Sequence, residues 1–296
     1  MPPPKPHLSS KTFAVKDYHL ARTLDCGQAF RWTPYGEAWI GVIGDHWIQA
    51  RQSKGAITIE TTHPCPDWQA IEDYFQISVD IKKVIRQFPK DEHLGTATKQ
   101  YTGLRLLKQP HWECLASFIL SSTKQIVHIR QIIKKLTEVY GTQTISQPGF
   151  PNLATFPSAK TVSGIGERRL RELGMGYRAK YLLATAQQIA QAPRTLTKIE
   201  DLPYIEAKQA LEGFPGVGPK IADCVLLFAY GKQEAFPIDV WVRRALTELY
   251  FPGQSPTNTQ LNAFAASYFH PFNGYAQQYL FHYMRTRHPT KIKTPS

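Results

Sequence analysis

The amino-acid sequence predicts an α+β protein, mainly α, in which an N-terminal antiparallel β-sheet packs on a helical body. Three observations carry that expectation. Residues 13–62 alternate apolar and polar positions and contain a tight-turn signal; from residue 68 onward the apolar period lengthens towards 3.6; and Gly and Pro punctuate the later segments without further strand signals.

Taken in order, the elements follow from local chemistry. Pro2, Pro3, Pro4 and Pro6 leave the start of the chain little to bury, so residues 1–12 are expected to form a disordered arm. Residues 13–95 form the sheet domain. Apolar runs at 39–43 and 46–50 flank Gly44 and Asp45, a two-residue hairpin signal, and AITIET at 56–61 alternates as a half-buried strand does. Residues 96–285 form the helical body, with helical spacing at 113–120, 126–140, 179–190, 221–229 and 262–269. Ser255 and Pro256 read as the N-cap and first-turn proline of the last of these. Residues 286–296 are a basic tail, and the chain shows no internal repeat.

Composition removes several classes of protein. A chain of 296 residues can bury a large core without covalent staples, and Cys26, Cys65, Cys114 and Cys224 show no paired spacing. A disulfide scaffold, a zinc finger and a C-terminal four-cysteine iron-sulfur loop are therefore disfavoured. No apolar run approaches the ~20 residues of a bilayer helix, and MPPPKPHLSS lacks the apolar stretch of a signal peptide. The expectation is an intracellular monomer with no membrane partner. Lys and Arg number 35 against 23 Asp and Glu, and the resulting +12 points to a polyanion, because basic side chains gain affinity by releasing counterions from phosphates. Charge alone does not separate DNA from RNA, a ribosome or an acidic lipid.

The densest motif is FPGVGPKIADC at residues 214–224. Gly216 and Gly218 flank Val217 in a proline-framed turn, with helices expected at 206–213 and 220–230. Such a turn aims backbone N–H groups outward at a helix start, with no side chain at the glycines to keep a phosphate away. An ordinary helical corner would also fit a lone G-x-G, but the proline frame and the charge favour a phosphate site. Lys220 follows the turn; a lysine is a nucleophile only as the neutral amine, which a helix start and desolvation favour. FPID ends at Asp239, an N-cap candidate whose carboxylate could also stabilise positive charge developing on a sugar.

These residues resemble the helix-hairpin-helix DNA glycosylase superfamily, in which the hairpin, here about 206–230, is followed by a Gly/Pro-rich loop and an aspartate. The resemblance spans most of the chain. It implies that Lys220 and Asp239 are catalytic, and that Lys220 marks a member that cleaves the strand as well as excising the base. Within the superfamily, LDCGQAFRW at residues 24–32 resembles the glycine-containing strand of the 8-oxoguanine DNA glycosylases. Gly27 then supplies the carbonyl that accepts the extra N–H at N7 of the oxidised base, where guanine has a bare lone pair. Cys224, one helical turn after Lys220, matches the residue against one face of the flipped base, Phe281 the residue covering the other, and Gln277 the reader of its edge. Tyr177 and Arg178 match a wedge in the base stack and a contact to the orphaned partner base.

The resemblance fails at one place: after HWECLASFILSS, Thr123-Lys124-Gln125 stands where the family has an asparagine triplet that reads the opposite cytosine. Thr123 therefore predicts a weakened cytosine preference. His128 stands where arginine is usual, with Arg130 close by, and Trp241 replaces a phosphate-contacting histidine. The implied activity is bifunctional: an N-glycosylase and AP lyase acting on 8-oxoguanine in double-stranded DNA, with Gly216, Val217 and Gly218 on the backbone. The chemistry requires no metal or cofactor, although the hairpin carbonyls offer a seat to a structural monovalent cation. The alternatives are a glycosylase for another damaged purine, against which Lys220 argues, and a non-enzymatic DNA-binding hairpin protein, which leaves Lys220, Asp239, Cys224 and Phe281 without roles.

Overall fold

The structure is a computed structural model, and it describes residues 8–62, 67–121, 125–142, 144 and 149–287. Thr123, Cys65, the first seven residues and the basic tail beyond Arg287 lie outside the described residues.

The N-terminal sheet has five antiparallel strands in the order β1-β5-β4-β3-β2: β1 (Leu8–Ala14), β2 (Thr33–Tyr35), β3 (Ala38–Ile43), β4 (His46–Ser53) and β5 (Ala56–Thr62). The Gly44-Asp45 turn joins β3 to β4, with Ile43 opposite His46, as the sequence predicts. Two expectations need correction. The strand β1 begins at Leu8, inside the segment expected to be a disordered arm, because Leu8 pairs with Thr62 and Thr12 with Thr58 along the edge of β5. The stretch after β1 is not all strand: α1 (Leu20–Asp25) intervenes, capped by His19, and Gly27 lies in an irregular loop after it.

Helices α2 (Trp68–Phe75), α3 (Ile81–Arg86) and α4 (Glu92–Gln100) lead from the sheet into the body. There follow α5 (His111–Ser121), α6 (Ile126–Tyr140), α7 (Ala159–Ser163), α8 (Glu167–Leu170) and α9 (Arg178–Gln191). The chain continues through α10 (Thr195–Lys198), α11 (Tyr204–Glu212), α12 (Pro219–Phe228), α13 (Val240–Tyr250), α14 (Asn258–Tyr268) and α15 (Asn273–Arg287). The expected N-cap of α14 also moves. Thr257, not Ser255, accepts from the Gln260 N–H, and Gln260 reaches back to the Thr257 N–H, a reciprocal box that outcompetes the proline signal two residues earlier.

Apolar side chains form two cores. The smaller lies under the sheet and gathers Phe13, Leu24, Ala29, Trp32, Ile57 and Ile59 with α2. The larger fills the helical body and takes in Cys26 and Phe30. Residues 24–32 therefore send alternate groups of side chains into different cores, and this segment is the seam between sheet and body. Arg105, 1% exposed, pins the chain ahead of α1 to the segment after α4 by donating to the carbonyls of Asp17 at 3.0 Å, Lys16 at 3.2 Å and Gly103 at 3.3 Å. Its guanidinium also lies 4.9 Å from the centre of the Tyr18 ring. Removing it would take this donor from the part-buried carbonyls of Asp17 and Lys16, while Gly103 would keep the His19 N–H at 2.8 Å. In Arg105→Met, which keeps bulk and loses the donors, urea titration should show unfolding free energy lower by about 3 kcal/mol, and an unchanged midpoint would refute the anchoring role.

Candidate active site

The hairpin expected from FPGVGPK is formed by α11, the turn 213–218 and α12. An ion pair inside it fixes the two helices: Lys208 Nζ of α11 lies 2.8 Å from Asp223 Oδ2 of α12, and Tyr204 donates to Asp223 Oδ1 at 2.7 Å. Helix α9 backs the turn. Thr185 donates to the Pro215 carbonyl at 3.1 Å, and Gly216, at φ +79°, lies so close to Tyr181 that a Cβ would come within 2.6 Å of its Cβ. Only glycine meets both conditions. Gly218 is the N-cap of α12, with Pro219 at its first position and Lys220 next.

A cavity of about 880 Å³ opens beside this helix start. Lys220 and Asp239 line it, together with Gly27, Cys224, Gln277 and Phe281. Gly216, Gly218 and Arg178 reach it as well. Thus α12, α13, α15 and the seam loop converge on one space, which sequence spacing alone does not show. Val217 does not line the cavity: it is buried, and its N–H donates within the turn to Phe214 at 3.1 Å. Tyr177 stands outside it, about half exposed, where Arg178 Nη2 donates to its hydroxyl at 2.8 Å.

Each wall has a physical character. The Lys220 amine lies 5.7 Å from the centre of the Phe118 ring, an aromatic neighbour on α5 that the motifs do not point to. Asp239 caps α13, accepting from Val242 at 2.8 Å and Trp241 at 3.0 Å. Burial holds its carboxyl above the ordinary aspartate value, while the cap hydrogen bonds and the charge of Lys220 oppose the rise. Burial likewise pushes the Cys224 thiol up to about 11, so this wall is neutral. Gln277 Nε2 donates to the Pro237 carbonyl at 3.1 Å, and its Oε1 is buried with no partner among the described residues. That orphaned acceptor suits a donor on a ligand.

Gly27 closes the opposite side. At φ +86° it adopts a conformation that side chains avoid, and a Cβ there would approach Ile126 Cδ1 to 2.7 Å and the Phe281 ring to 3.4 Å. Ile126, like Phe118, is a lining residue the motifs miss; each reads in sequence as plain helix core. Among the described residues no group of three or more His, Cys, Asp or Glu is arranged to hold a metal, and no helix is long and apolar enough to cross a membrane.

The raised carboxyl of Asp239 sets the sign of a stability effect. A folded-state value above the unfolded one favours folding below the ordinary aspartate range and loses that advantage as pH rises through the folded value. The ionised carboxylate is therefore a cost at neutral pH that Asn, itself a good N-cap, does not carry. Asp239→Asn should melt no lower than the parent at pH 7 in calorimetry, and a drop in melting temperature would overturn the burial argument.

Comparison with known proteins places this geometry. Residues 12–115 match the N-terminal domain of 8-oxoguanine DNA glycosylases, and residues 116–271 match the HhH-GPD superfamily of base excision DNA repair proteins. The N-glycosylase/DNA lyase of Arabidopsis thaliana is 30% identical over 257 residues, covering 82% of this chain and 70% of that protein. The structure named as MBOgg1 in complex with a low-affinity DNA ligand superposes with a TM-score of 0.89 at 30% identity, covering 96% of this chain and 99% of that one. An 8-oxoguanine glycosylase/lyase from Clostridium acetobutylicum, in complex with double-stranded DNA containing cytosine opposite the lesion, gives 0.87 at 28% identity, again covering 96% and 99%. The chain belongs to the HhH-GPD superfamily of base excision DNA repair proteins, as a DNA glycosylase carrying the N-terminal domain of the 8-oxoguanine branch.

Proposed function

We propose that the protein excises 8-oxoguanine from double-stranded DNA as a monomer and then cleaves the strand at the abasic site, using Lys220 as the nucleophile. One observation supports the reading: a lysine amine and a part-buried carboxyl group line the same cavity as Gly27, whose peptide carbonyl accepts no hydrogen bond among the described residues. The carbonyl suits the N7–H of the oxidised base and repels the N7 lone pair of guanine. Cys224 and Phe281 supply the two apolar faces, and the free Oε1 of Gln277 accepts from the base edge. Names of relatives that include 8-oxoguanine or DNA lyase support the same substrate and the same second activity.

In this mechanism the neutral amine of Lys220 attacks the anomeric carbon of the flipped nucleotide. The glycosidic bond breaks, and the base leaves with its bonding pair and takes a proton. Asp239 stabilises the positive charge that develops on the sugar and receives protons from the amine. Opening of the sugar ring gives a Schiff base at Nζ. Loss of a C2′ proton then expels the 3′ phosphate, and water releases the lysine. The hairpin glycines Gly216 and Gly218 carry the phosphate backbone on their N–H groups, with Arg178 and Tyr177 filling and contacting the gap left by the flipped base. A monovalent cation on the hairpin carbonyls would be structural only, and no step depends on it.

Borohydride reduction should trap a covalent adduct between the protein and a duplex carrying 8-oxoguanine, with little on an alkylated duplex. Lys220→Gln should form none; adduct formation by that variant would sink the nucleophile assignment. Excision measured opposite each of the four bases should show no strong cytosine bias, since Thr123 lacks the asparagine amide. A strong bias would mean that another residue reads the opposite base.

A further inference from the structure

The loop that carries Gly27 treats consecutive peptide carbonyls differently. The Cys26 carbonyl accepts a hydrogen bond from Gln278 Nε2 at 3.1 Å, and the Gln28 carbonyl accepts one from Gln109 Nε2 at 2.8 Å. The Gly27 carbonyl between them accepts none among the described residues. Both glutamines are buried, at 2% and 6% exposure, where an amide is present only at the expense of its hydration. They arrive from opposite directions: Gln278 from α15, and Gln109 from the segment before α5.

Each is also tied to another part of the site. Gln278 neighbours Gln277 on α15, whose Oε1 is the orphaned acceptor of the cavity. The Gln109 N–H donates at 2.8 Å to the carbonyl of Phe228, the last residue of the helix that begins beside Lys220. A third glutamine completes the frame. The Gln28 side chain donates to the carbonyls of Thr23 and Arg105 and accepts from the Leu107 N–H, each at 2.8 Å.

We infer that Gln109 and Gln278 are positioning residues for base discrimination, clamping the peptides before and after the Gly27–Gln28 peptide so that the Gly27 carbonyl keeps one direction. The inference rests on the proposed use of that carbonyl as the N7–H acceptor. A glycine is needed here for φ and for space, and it is also the residue whose flanking peptides rotate most freely. A carbonyl able to swing away would escape the repulsion from the guanine lone pair and would also hold the N7–H of 8-oxoguanine less well, so selectivity and excision would fall together. Fixed neighbours convert an adaptable acceptor into a discriminating one. Neither glutamine needs to touch the base for this.

The test separates base recognition from strand cleavage. Gln109→Met and Gln278→Met keep volume and remove the donor; Gln278→Asn is a milder change that withdraws the amide by one methylene. For each, single-turnover excision of 8-oxoguanine, the ratio of binding to 8-oxoguanine and guanine duplexes, and cleavage at a preformed abasic site would be measured. The clamp predicts that the Met variants lose about tenfold in excision and in the binding ratio, with abasic-site cleavage within about twofold of the parent and Gln278→Asn in between. Equal loss of all three activities, as from a misfolded variant, or no loss in any would overturn it. A parent protein that cleaves abasic sites but does not excise 8-oxoguanine would instead refute the proposed substrate, and the clamp with it.

Discussion

A buried backbone segment outside helix and strand must find hydrogen-bond partners elsewhere, and the site of this protein depends on how residues 26–28, just after α1, meet that constraint. The carbonyls of Cys26 and Gln28 are satisfied by side chains far away in sequence, Gln278 of α15 and Gln109 from before α5, and Arg285 of α15 donates to the Asp25 carbonyl at the end of α1. The same loop sends Leu24 and Ala29 into the core under the sheet and Cys26 and Phe30 into the core of the body. Loss of any of these supports would disturb the cavity wall and the joint between sheet and body together. That is why one glycine in this loop can be both a structural necessity and an element of recognition.

The helix-hairpin-helix is supported in a comparable way. Its turn is clamped from behind by α9, and its two helices are bound by the Lys208–Asp223 pair, with Asp223 4% exposed. Burial raises the Asp223 carboxyl while Lys208 opposes the rise, so the pair contributes geometry more than net stability. The geometry matters because Lys220 and Cys224 project from the same helix as Asp223. The sequence carries a net charge of +12, yet the cavity wall is made mostly of uncharged groups, among them Gly27, Cys224, Gln277 and Phe281.

Much of the fold was legible because it rests on local chemistry. The Gly44-Asp45 turn pairs the strands expected of it, Asp239 caps the helix it precedes, and α6 spans the apolar periodicity at 126–140. The misreadings were cases where a partner outside the pattern decides. The strand β1 owes its first residues to β5, and the polar LSSKT gives no apolar alternation to announce an edge strand. Thr257 rather than Ser255 caps α14 because Gln260 closes the box from inside the helix. Val217 turned inward because the hairpin turn uses its N–H.

The candidate site divides in the same way. Residue type and order along the chain, read through the family resemblance, named Lys220, Asp239, Gly27, Cys224 and Phe281 as candidates. Tertiary structure alone decided that they share one cavity, that Phe118 and Ile126 join them, and that, of three carbonyls in succession, that of Gly27 has no partner among the described residues. The physical reason is range. A motif records what a residue can do with its neighbours in the chain, whereas the direction of a buried carbonyl is fixed by side chains arriving from elsewhere in the fold, and no local pattern encodes their arrival.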